Sequence, residues 1–319
     1  MTKKSFTLIE LIFVVVIVAF LSVATFKALQ AIVVRSYKAK ETTRLSLESQ
    51  MVANQISELL KDRVPATVIG YYPDSHNFEY IGDLTSQQHP PRVLEWIRRA
   101  KEAYLNRDYS GFIDLKKSDK DSNRIFSPDT NGSKIDSDIK NKFNTNSDIY
   151  NQNLVNLIFA GSFDRGSSDI SDYNNSFGWH GHDSNNSFDI SIDDDGNITI
   201  TDKVQPKFIY EKYFLVDSAY AIARKADLNA TDWHCSSDLN WSDLSDNTLL
   251  LFYNYRPWKG ETFCADNNGT REGNVTILMK NVSGFRFDEK DYTIRISLDI
   301  NKSIKGSSPI HLSKMKVVF

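Results

Sequence analysis

The chain contains few cysteines, and it lacks the common sequence motifs of catalysis. Only two cysteines occur in 319 residues, and they form no Cys-x-x-Cys pair of the kind used in redox catalysis or structural zinc sites. A Gly-x-Ser-x-Gly elbow, a phosphate-binding glycine loop and a His-Glu-x-x-His zinc helix are also missing. Since no motif names a reaction, we expect the protein not to be an enzyme.

The overall charge is low, and no tail carries charge of a single sign. The formal net charge is −3, which gives no electrostatic argument for nucleic-acid binding by the whole molecule. Hydrophobic residues make up 40% of the chain and aromatic residues 12%, which is enough to build a core.

Glycine and proline are absent from residues 6–64, and Pro65 then ends the stretch. One continuous helix is therefore permitted, and its 59 residues would span about 89 Å. Residues 12–26 carry no charge, whereas the part after Val34 is amphipathic. Its apolar side is formed by Leu45, Val52, Ile56, Leu59 and Leu60, and its polar side by Arg44, Glu48, Gln55, Lys61 and Asp62. We expect this second half to pack on a globular domain; a solvent-exposed coiled coil is the alternative.

The segment Lys3-Lys4-Ser5-Phe6-Thr7-Leu8-Ile9-Glu10-Leu11 immediately precedes the apolar run. It resembles the type III signal of type IV pilins and type II secretion pseudopilins, in which a small residue is followed by Phe-Thr-Leu-Ile-Glu-Leu and an apolar helix. The family usually has glycine where this chain has Ser5, and many pilins have a proline near the position of Lys27.

The resemblance implies a processing pathway. A prepilin peptidase would cut between Ser5 and Phe6, remove residues 1–5 and leave a methylated Phe6 at the new N-terminus. Residues 6–34 would form the transmembrane and filament-core helix, and residues 35–64 its amphipathic half. Glu10 would pair with the N-terminal amine of a neighbouring subunit.

A plain N-terminal membrane anchor is the alternative interpretation of this segment. Glu10 argues against it, because a carboxylate at membrane depth costs about 2.5 kcal/mol or more. An anchor with no further role would be more stable without that charge.

Residues 65–319 are expected to form a periplasmic domain that is helical and rich in loops to about residue 187. The apolar spacing predicts helices at residues 92–105 and 154–159, with a surface excursion between residues 116 and 153. Alternation then predicts a hairpin from residues 188–192 and 198–201. Further strands are predicted at residues 208–216, 248–255, 275–279, 285–288, 292–300 and 315–319. The expected fold class is α+β, pilin-like, with the long helix packed on this β-rich domain.

The last predicted strands carry a second resemblance. Residues 277–287 and 294–298 are similar to the final strands of minor pseudopilins, especially the J-type component of type II secretion. A generic antiparallel meander would have much the same pattern.

Cys235 and Cys264 lie 29 positions apart in the part of the chain that a pilin-like protein translocates. Because disulfides persist in such compartments, we expect an intramolecular bond, which would contribute about 3 kcal/mol by closing the loop. Two separate reduced thiols are the alternative.

Ten asparagines begin an Asn-x-Ser/Thr triplet without proline, and nine of them have an acidic residue two positions earlier. With 41 acidic residues among 319, chance places about one acid at that offset. The pattern resembles the extended acceptor sequon of bacterial periplasmic oligosaccharyltransferases, which implies glycan acceptance; clustering of Asp, Asn, Gly and Ser in turns is the alternative. The nine are Asn131, Asn174, Asn185, Asn197, Asn229, Asn240, Asn268, Asn274 and Asn301.

Two short segments have residues that bind metals in other proteins. His180 and His182 alternate in His180-Gly181-His182-Asp183 and suit zinc, although a solvated loop is the favoured interpretation. The residues from Asp193 to Asn197 offer oxygen ligands for calcium, but a hairpin turn suffices there. We therefore expect no metal site and no cofactor, with calcium as the alternative.

Three classes of function follow. The favoured class is a non-enzymatic minor pilin or pseudopilin for protein secretion, whose partners are the prepilin peptidase, other pilin or pseudopilin subunits and an oligosaccharyltransferase. It would lie in the inner membrane with its C-terminal domain in the periplasm, or in a filament at the cell surface. A filament-borne adhesin or DNA-uptake subunit is the second class, and a membrane-anchored periplasmic enzyme is the third.

Overall fold

The computed structural model describes residues 7–84, 90–119, 124–162, 173–202, 205–228, 239–263, 270–271, 273–291 and 293–319. A 54-residue N-terminal helix is followed by a domain built mainly from antiparallel strands. The fold is therefore α+β, as the sequence predicts. The helices are α1 (Leu8–Lys61), α2 (Lys101–Leu105) and α3 (Gly132–Phe143).

Fifteen strands lie within the described residues. The first eight are β1 (Ile69–Tyr72), β2 (Asn77–Tyr80), β3 (Val93–Arg99), β4 (Arg124–Phe126), β5 (Asn156–Phe159), β6 (Phe188–Ile192), β7 (Asn197–Ile200) and β8 (Tyr213–Arg224). The remaining seven are β9 (Leu249–Tyr255), β10 (Glu261–Thr262), β11 (Thr270–Arg271), β12 (Asn274–Met279), β13 (Val282–Lys290), β14 (Thr293–Lys302) and β15 (Ile310–Val318).

Strand β8 organises the large sheet, because it pairs antiparallel with β3, β5 and β9. From β3 the sheet continues to β1 and β2, from β5 to β6, β7 and β4, and from β9 to β12. A separate sheet has the order β13-β14-β15, and the two-residue strands β10 and β11 pair in parallel.

Two hydrophobic clusters fill the domain. The larger one joins the second half of α1 to β1, β3, β9 and the three-stranded sheet. The smaller one lies between α3 and the branch formed by β4 to β7. Strand β8 contributes to both, since Tyr213 and Leu215 belong to the smaller cluster and Ala221 and Ile222 to the larger one.

The prediction of a helix at residues 92–105 is wrong for most of its length. Residues Val93–Arg99 form β3, and only Lys101–Leu105 is helical. The first six residues of β3 are buried, so both faces of the strand are covered and apolar residues no longer alternate. The resulting apolar run happened to match helical spacing.

Two further predictions in the same region are also wrong. Residues 156–159 form β5 rather than a helix, and strands are common before residue 187. The expected surface excursion at residues 116–153 contains β4 and α3, whose Ile125, Ile135 and Ile139 are fully buried. These isoleucines are dispersed among polar residues, so the composition of the segment conceals an inward-facing side.

The strand predictions beyond residue 187 are confirmed in outline. The hairpin appears as β6 and β7, which pair Ile190 with Ile200 and Ile192 with Ile198. The strand predicted at 208–216 begins later, at Tyr213, and continues to Arg224.

Candidate assembly helix and its contacts with the domain

The first half of α1 extends beyond the domain. Every side chain from residue 7 to residue 33 is exposed, although the segment is apolar. Its most apolar 18-residue window has a mean hydropathy of 2.8 and buries none of its residues in the protein. At 1.5 Å per residue, residues 8–33 extend about 39 Å, which exceeds the bilayer hydrocarbon thickness of about 30 Å. By length and composition, α1 is therefore able to span a membrane.

The two hydroxyl side chains of this apolar half donate to the helix backbone. Ser22 Oγ donates to the carbonyl of Val18 at 2.7 Å, and Thr25 Oγ1 donates to the carbonyl of Leu21 at 2.8 Å. Such internal bonds satisfy hydroxyl groups where no water is available. The helix surface is thereby kept suitable for lipid or for other apolar helices.

Glu10 lies in the first turn of α1 and points back toward the N-terminus. Its Oε2 accepts from the backbone N–H of Thr7 at 3.0 Å and from the Thr7 hydroxyl at 2.9 Å. The carboxylate therefore caps a helix end whose N–H groups lack partners and whose dipole favours negative charge. Ser5 and Phe6, the predicted processing residues, lie outside the described residues.

The second half of α1 packs on the domain through one narrow stripe. Its buried residues are Leu45, Ser49, Val52, Ala53, Ile56, Ser57 and Leu60. Ser49, Ala53 and Ser57 recur every four residues, so small side chains occupy the centre of the stripe and allow close approach to the strands. The predicted packing of this half on a globular domain is confirmed.

Polar contacts fix α1 at both ends of the stripe. Near the apolar half of α1, Lys38 Nζ donates to Ser308 Oγ at 2.6 Å, and Lys302 Nζ lies 2.7 Å from Glu41 Oε2. At the far end, Lys101 Nζ lies 2.7 Å from Asp62 Oδ2. The helix is thus joined to the domain at both ends of the stripe, by residues of β14, of the segment before β15 and of α2.

A buried polar network joins three elements of the domain, and sequence reasoning missed it. Glu95 of β3 is fully buried; its Oε1 lies 2.8 Å from His180 Nε2, and its Oε2 accepts from Tyr255 Oη at 2.7 Å. The His180 ring stacks on Tyr71, with centroids 3.9 Å apart. Burial, followed by the Glu95 charge, raises the pKa of Tyr255 well above its ordinary value, so the phenol remains a donor. The sequence did contain a signal for this network, because Glu95 is the one charged residue in the apolar run of residues 93–97.

This network also corrects the interpretation of the histidine pair. His180 is buried rather than solvated, whereas His182 is exposed and lies beside the Phe78 ring. The two imidazoles therefore have different surroundings. Within the part of the chain that the structure describes, no group of three His, Cys, Asp or Glu side chains is placed to hold a metal ion.

The residues proposed for calcium take part in turn and cap hydrogen bonds. Asp193 Oδ1 accepts from the backbone N–H groups of Asp195 and Asn197, at 3.0 and 2.8 Å. Asp194 accepts from the backbone N–H of Ser133 at 2.8 Å and from the Ser133 hydroxyl at 3.0 Å, and these bonds lower its pKa. The carboxylates therefore stabilise the hairpin turn and the first turn of α3.

Seven of the nine predicted glycan acceptors lie in the described residues; Asn229 and Asn268 lie outside them, as do Cys235 and Cys264. Asn185, Asn240 and Asn274 are exposed, whereas Asn174 and Asn301 are half-buried. The other two use their amides within the fold: Asn131 Oδ1 caps α3 by accepting from the Lys134 N–H at 2.9 Å, and Asn197 Nδ2 donates to Asp193 at 2.7 Å.

No protein-family model matches the chain, and neither does any curated protein or any solved structure.

Proposed function

We propose that the protein is a non-enzymatic minor pilin or pseudopilin subunit that assembles into a filament through α1. The observation that carries the proposal is the fully exposed apolar half of α1, which begins with a carboxylate directed at its own N-terminus. A lone anchor gains nothing from a charge at that depth, whereas a filament can pair it with a neighbour.

The position of Glu10 suits a contact between subunits. Its carboxylate already accepts from the backbone N–H of Thr7, which is adjacent in sequence to the predicted new N-terminus at Phe6. An amine from a neighbouring subunit would meet the same carboxylate and gain a charge-assisted hydrogen bond in a medium of low dielectric. We propose that this pairing sets the register between subunits.

The proposed location is the inner membrane, with the domain on the periplasmic side. The proposed partners are a prepilin peptidase, other pilin or pseudopilin subunits and an oligosaccharyltransferase, and the J-type minor pseudopilin of type II secretion is the specific role we favour. A globular part of about 250 residues would crowd a uniform shaft, so a low-copy position at the filament tip suits it best.

Processing of the native protein tests the proposal. N-terminal sequencing and intact mass of protein purified from its own membrane should give a chain that starts at Phe6 and carries one methyl group. A chain that starts at Met1 would leave an ordinary membrane anchor and contradict the proposal.

A substitution then separates anchoring from assembly. We expect Glu10→Gln to leave the protein in the membrane but to reduce its amount in the sheared or cross-linked filament fraction by about tenfold, since the charged pair is lost. Glu48→Gln, a change of the same chemistry on the polar side of the second half of α1, is the matched control. Equal incorporation of both variants would show that Glu10 has no role in assembly.

A further inference from the structure

A hollow of about 380 Å³ opens where the C-terminal end of α3 meets the ends of β9 and β12. Its wall is formed by Lys142 and Phe143 of α3, by residues 144–154 after α3, and by Asn254 and Arg256. The residues that line the hollow belong neither to α1 nor to the Glu95 network, although Tyr255 of that network lies between Asn254 and Arg256 in the chain. Neither the proposed assembly role nor the buried polar network therefore makes use of their side chains.

Four side-chain amides line this hollow, from Asn144, Gln152, Asn254 and Asn274. Within the described ranges, none of these amides has a hydrogen-bond partner in the protein. Each offers two N–H donors and one acceptor oxygen. Asn144 and Asn254 have φ of 48° and 65°, in the left-handed region that asparagine tolerates better than most residues. A fixed backbone thus presents unpaired amide groups on a concave surface.

Two cations form the deeper part of the wall. Arg256 is 8% exposed; its Nε donates to the carbonyl of Leu154 at 3.4 Å, and one terminal amino group lies 3.5 Å from Glu261. Its other terminal amino group has no partner among the described residues. Lys142 Nζ lies 2.7 Å from the fully buried Asp217, 3.5 Å from Ser218 Oγ and 4.0 Å from Glu102 Oε2, so its N–H groups are directed at acceptors within the protein. Both cationic groups are 4.6 Å from the centre of the Phe143 ring.

We infer that this hollow binds an acidic carbohydrate. Sugar hydroxyls both donate and accept, as do the four amides, while a sugar carboxylate would accept from the terminal amino group of Arg256 that has no partner among the described residues. The few convergent polar groups and the concave shape are typical of a site for a small ligand.

An acidic carbohydrate would reach this hollow from either of two sources, a glycan on the protein itself or a separate polysaccharide. Asn274 lies at the rim, is exposed, and begins a predicted acceptor sequon with Glu272 two positions earlier. A glycan attached to Asn274 would reach the hollow from its own chain, and a separate acidic polysaccharide would reach it from solution. Neither source depends on the filament role proposed above.

The first experiment uses the full chain in detergent micelles, produced in cells that lack an oligosaccharyltransferase. Isothermal titration with trigalacturonate should show binding, and uncharged maltotriose should bind at least about tenfold more weakly, because it has no carboxylate for Arg256. Absence of trigalacturonate binding, or equal affinity for the two sugars, would overturn the inference.

Variants at the amides locate the site. Asn254→Gly removes an amide and retains the backbone geometry; combined with Gln152→Ala, it should weaken trigalacturonate binding about tenfold through the loss of two sets of hydrogen bonds. Asn281→Gly is the matched control, because Asn281 has the same φ of 65° in the turn between β12 and β13. Equal effects of the amide variant and the control would place binding elsewhere and contradict the inference.

A second experiment, on protein purified from native cells, distinguishes a glycan attached to Asn274 from a separate polysaccharide. If the glycan on Asn274 fills the hollow, the native protein will not bind trigalacturonate and the Asn274→Gln variant will. If the ligand is a separate chain, Asn274 will be unmodified and both proteins will bind. A native protein that is unmodified at Asn274 and does not bind would contradict the inference.

Discussion

Tyr255 and Tyr72 each donate a phenolic O–H to a glutamate, but their surroundings differ. Tyr255 is 1% exposed and reaches Glu95 at 2.7 Å, whereas Tyr72 is half-buried and reaches Glu79 at 3.2 Å. We expect Tyr255→Phe to lower the free energy of unfolding by about 2 kcal/mol, because it leaves a buried carboxylate without one of its donors.

Tyr72→Phe is the matched control for that prediction. Water is available to replace its hydroxyl, so the expected loss is below about 0.5 kcal/mol. Chemical denaturation of both variants in the full chain provides the measurement. Equal losses would mean that the buried network does not stabilise the domain.

Asp108 gives the stability of the protein a dependence on pH. Burial, followed by the hydrogen bond that protonated Asp108 donates to Asp138 and by the charge of that neighbour, raises the pKa of Asp108 to about 6 from its ordinary 3.8. The folded protein therefore holds a proton that the unfolded chain releases, and this group's contribution to stability decreases as the pH rises from about 4 to about 6.

Asp108→Asn should consequently stabilise the protein above pH 6 by about 1 kcal/mol after allowance for solvent screening, and have little effect at pH 4. Thermal unfolding of the parent chain and the variant between pH 4 and pH 8 measures the difference. A difference in Tm that stays constant over this range would contradict the assigned pKa.

At the scale of elements, the contact between α1 and the strands should depend on a few buried side chains. Ile56 is fully buried in the stripe, and Leu47 on the same helix is 62% exposed. We expect Ile56→Ala to cost about 3 kcal/mol, because it removes packed methyl groups and leaves a cavity. Leu47→Ala should change stability by less than about 0.5 kcal/mol in the same denaturation experiment. Similar values for the two variants would indicate that the stripe contributes little.

The hairpin β6–β7 was predictable from the sequence, and strand β3 was not, because the two differ in how many of their faces are covered. The hairpin β6–β7 alternates, since one side of each strand faces the smaller cluster, and its turn has the expected Asp and Gly residues. Strand β3 lies inside the sheet beneath other elements, so alternation is lost and the helix prediction failed.

The candidate site shows a similar division. The span and the amphipathic half of α1 were predictable, because they depend on local composition and on the absence of glycine and proline. The Glu95 network and the amide-lined hollow were not, because each is assembled from segments far apart in the chain that only the sheet topology brings together.

At the scale of the whole molecule, the exposure of each asparagine predicts which of the glycan acceptors are modified and which are not. We expect glycans at Asn185 and Asn240, which are exposed and whose side chains make no hydrogen bond among the described residues. Asn131 and Asn197 should remain unmodified, because their amides take part in a helix cap and a turn, and so should Asn301, which lies half-buried in β14.

Glycopeptide mapping of the native protein by mass spectrometry tests this order of acceptors. Glycans on Asn131 and Asn197 together with unmodified Asn185 and Asn240 would contradict it. Bare peptide at all of these positions would remove the proposed oligosaccharyltransferase from the list of partners.

The attachment of the domain to α1 has a mechanical consequence. Contacts extend from Lys38, next to the apolar half of the helix, to Asp62 at the far end, over a length of about 36 Å, with β15 alongside the helix. A force along the helix axis would load these contacts together in shear, whereas a sideways force would peel them apart one after another. The molecule should therefore resist traction along the helix axis far better than torque on its domain.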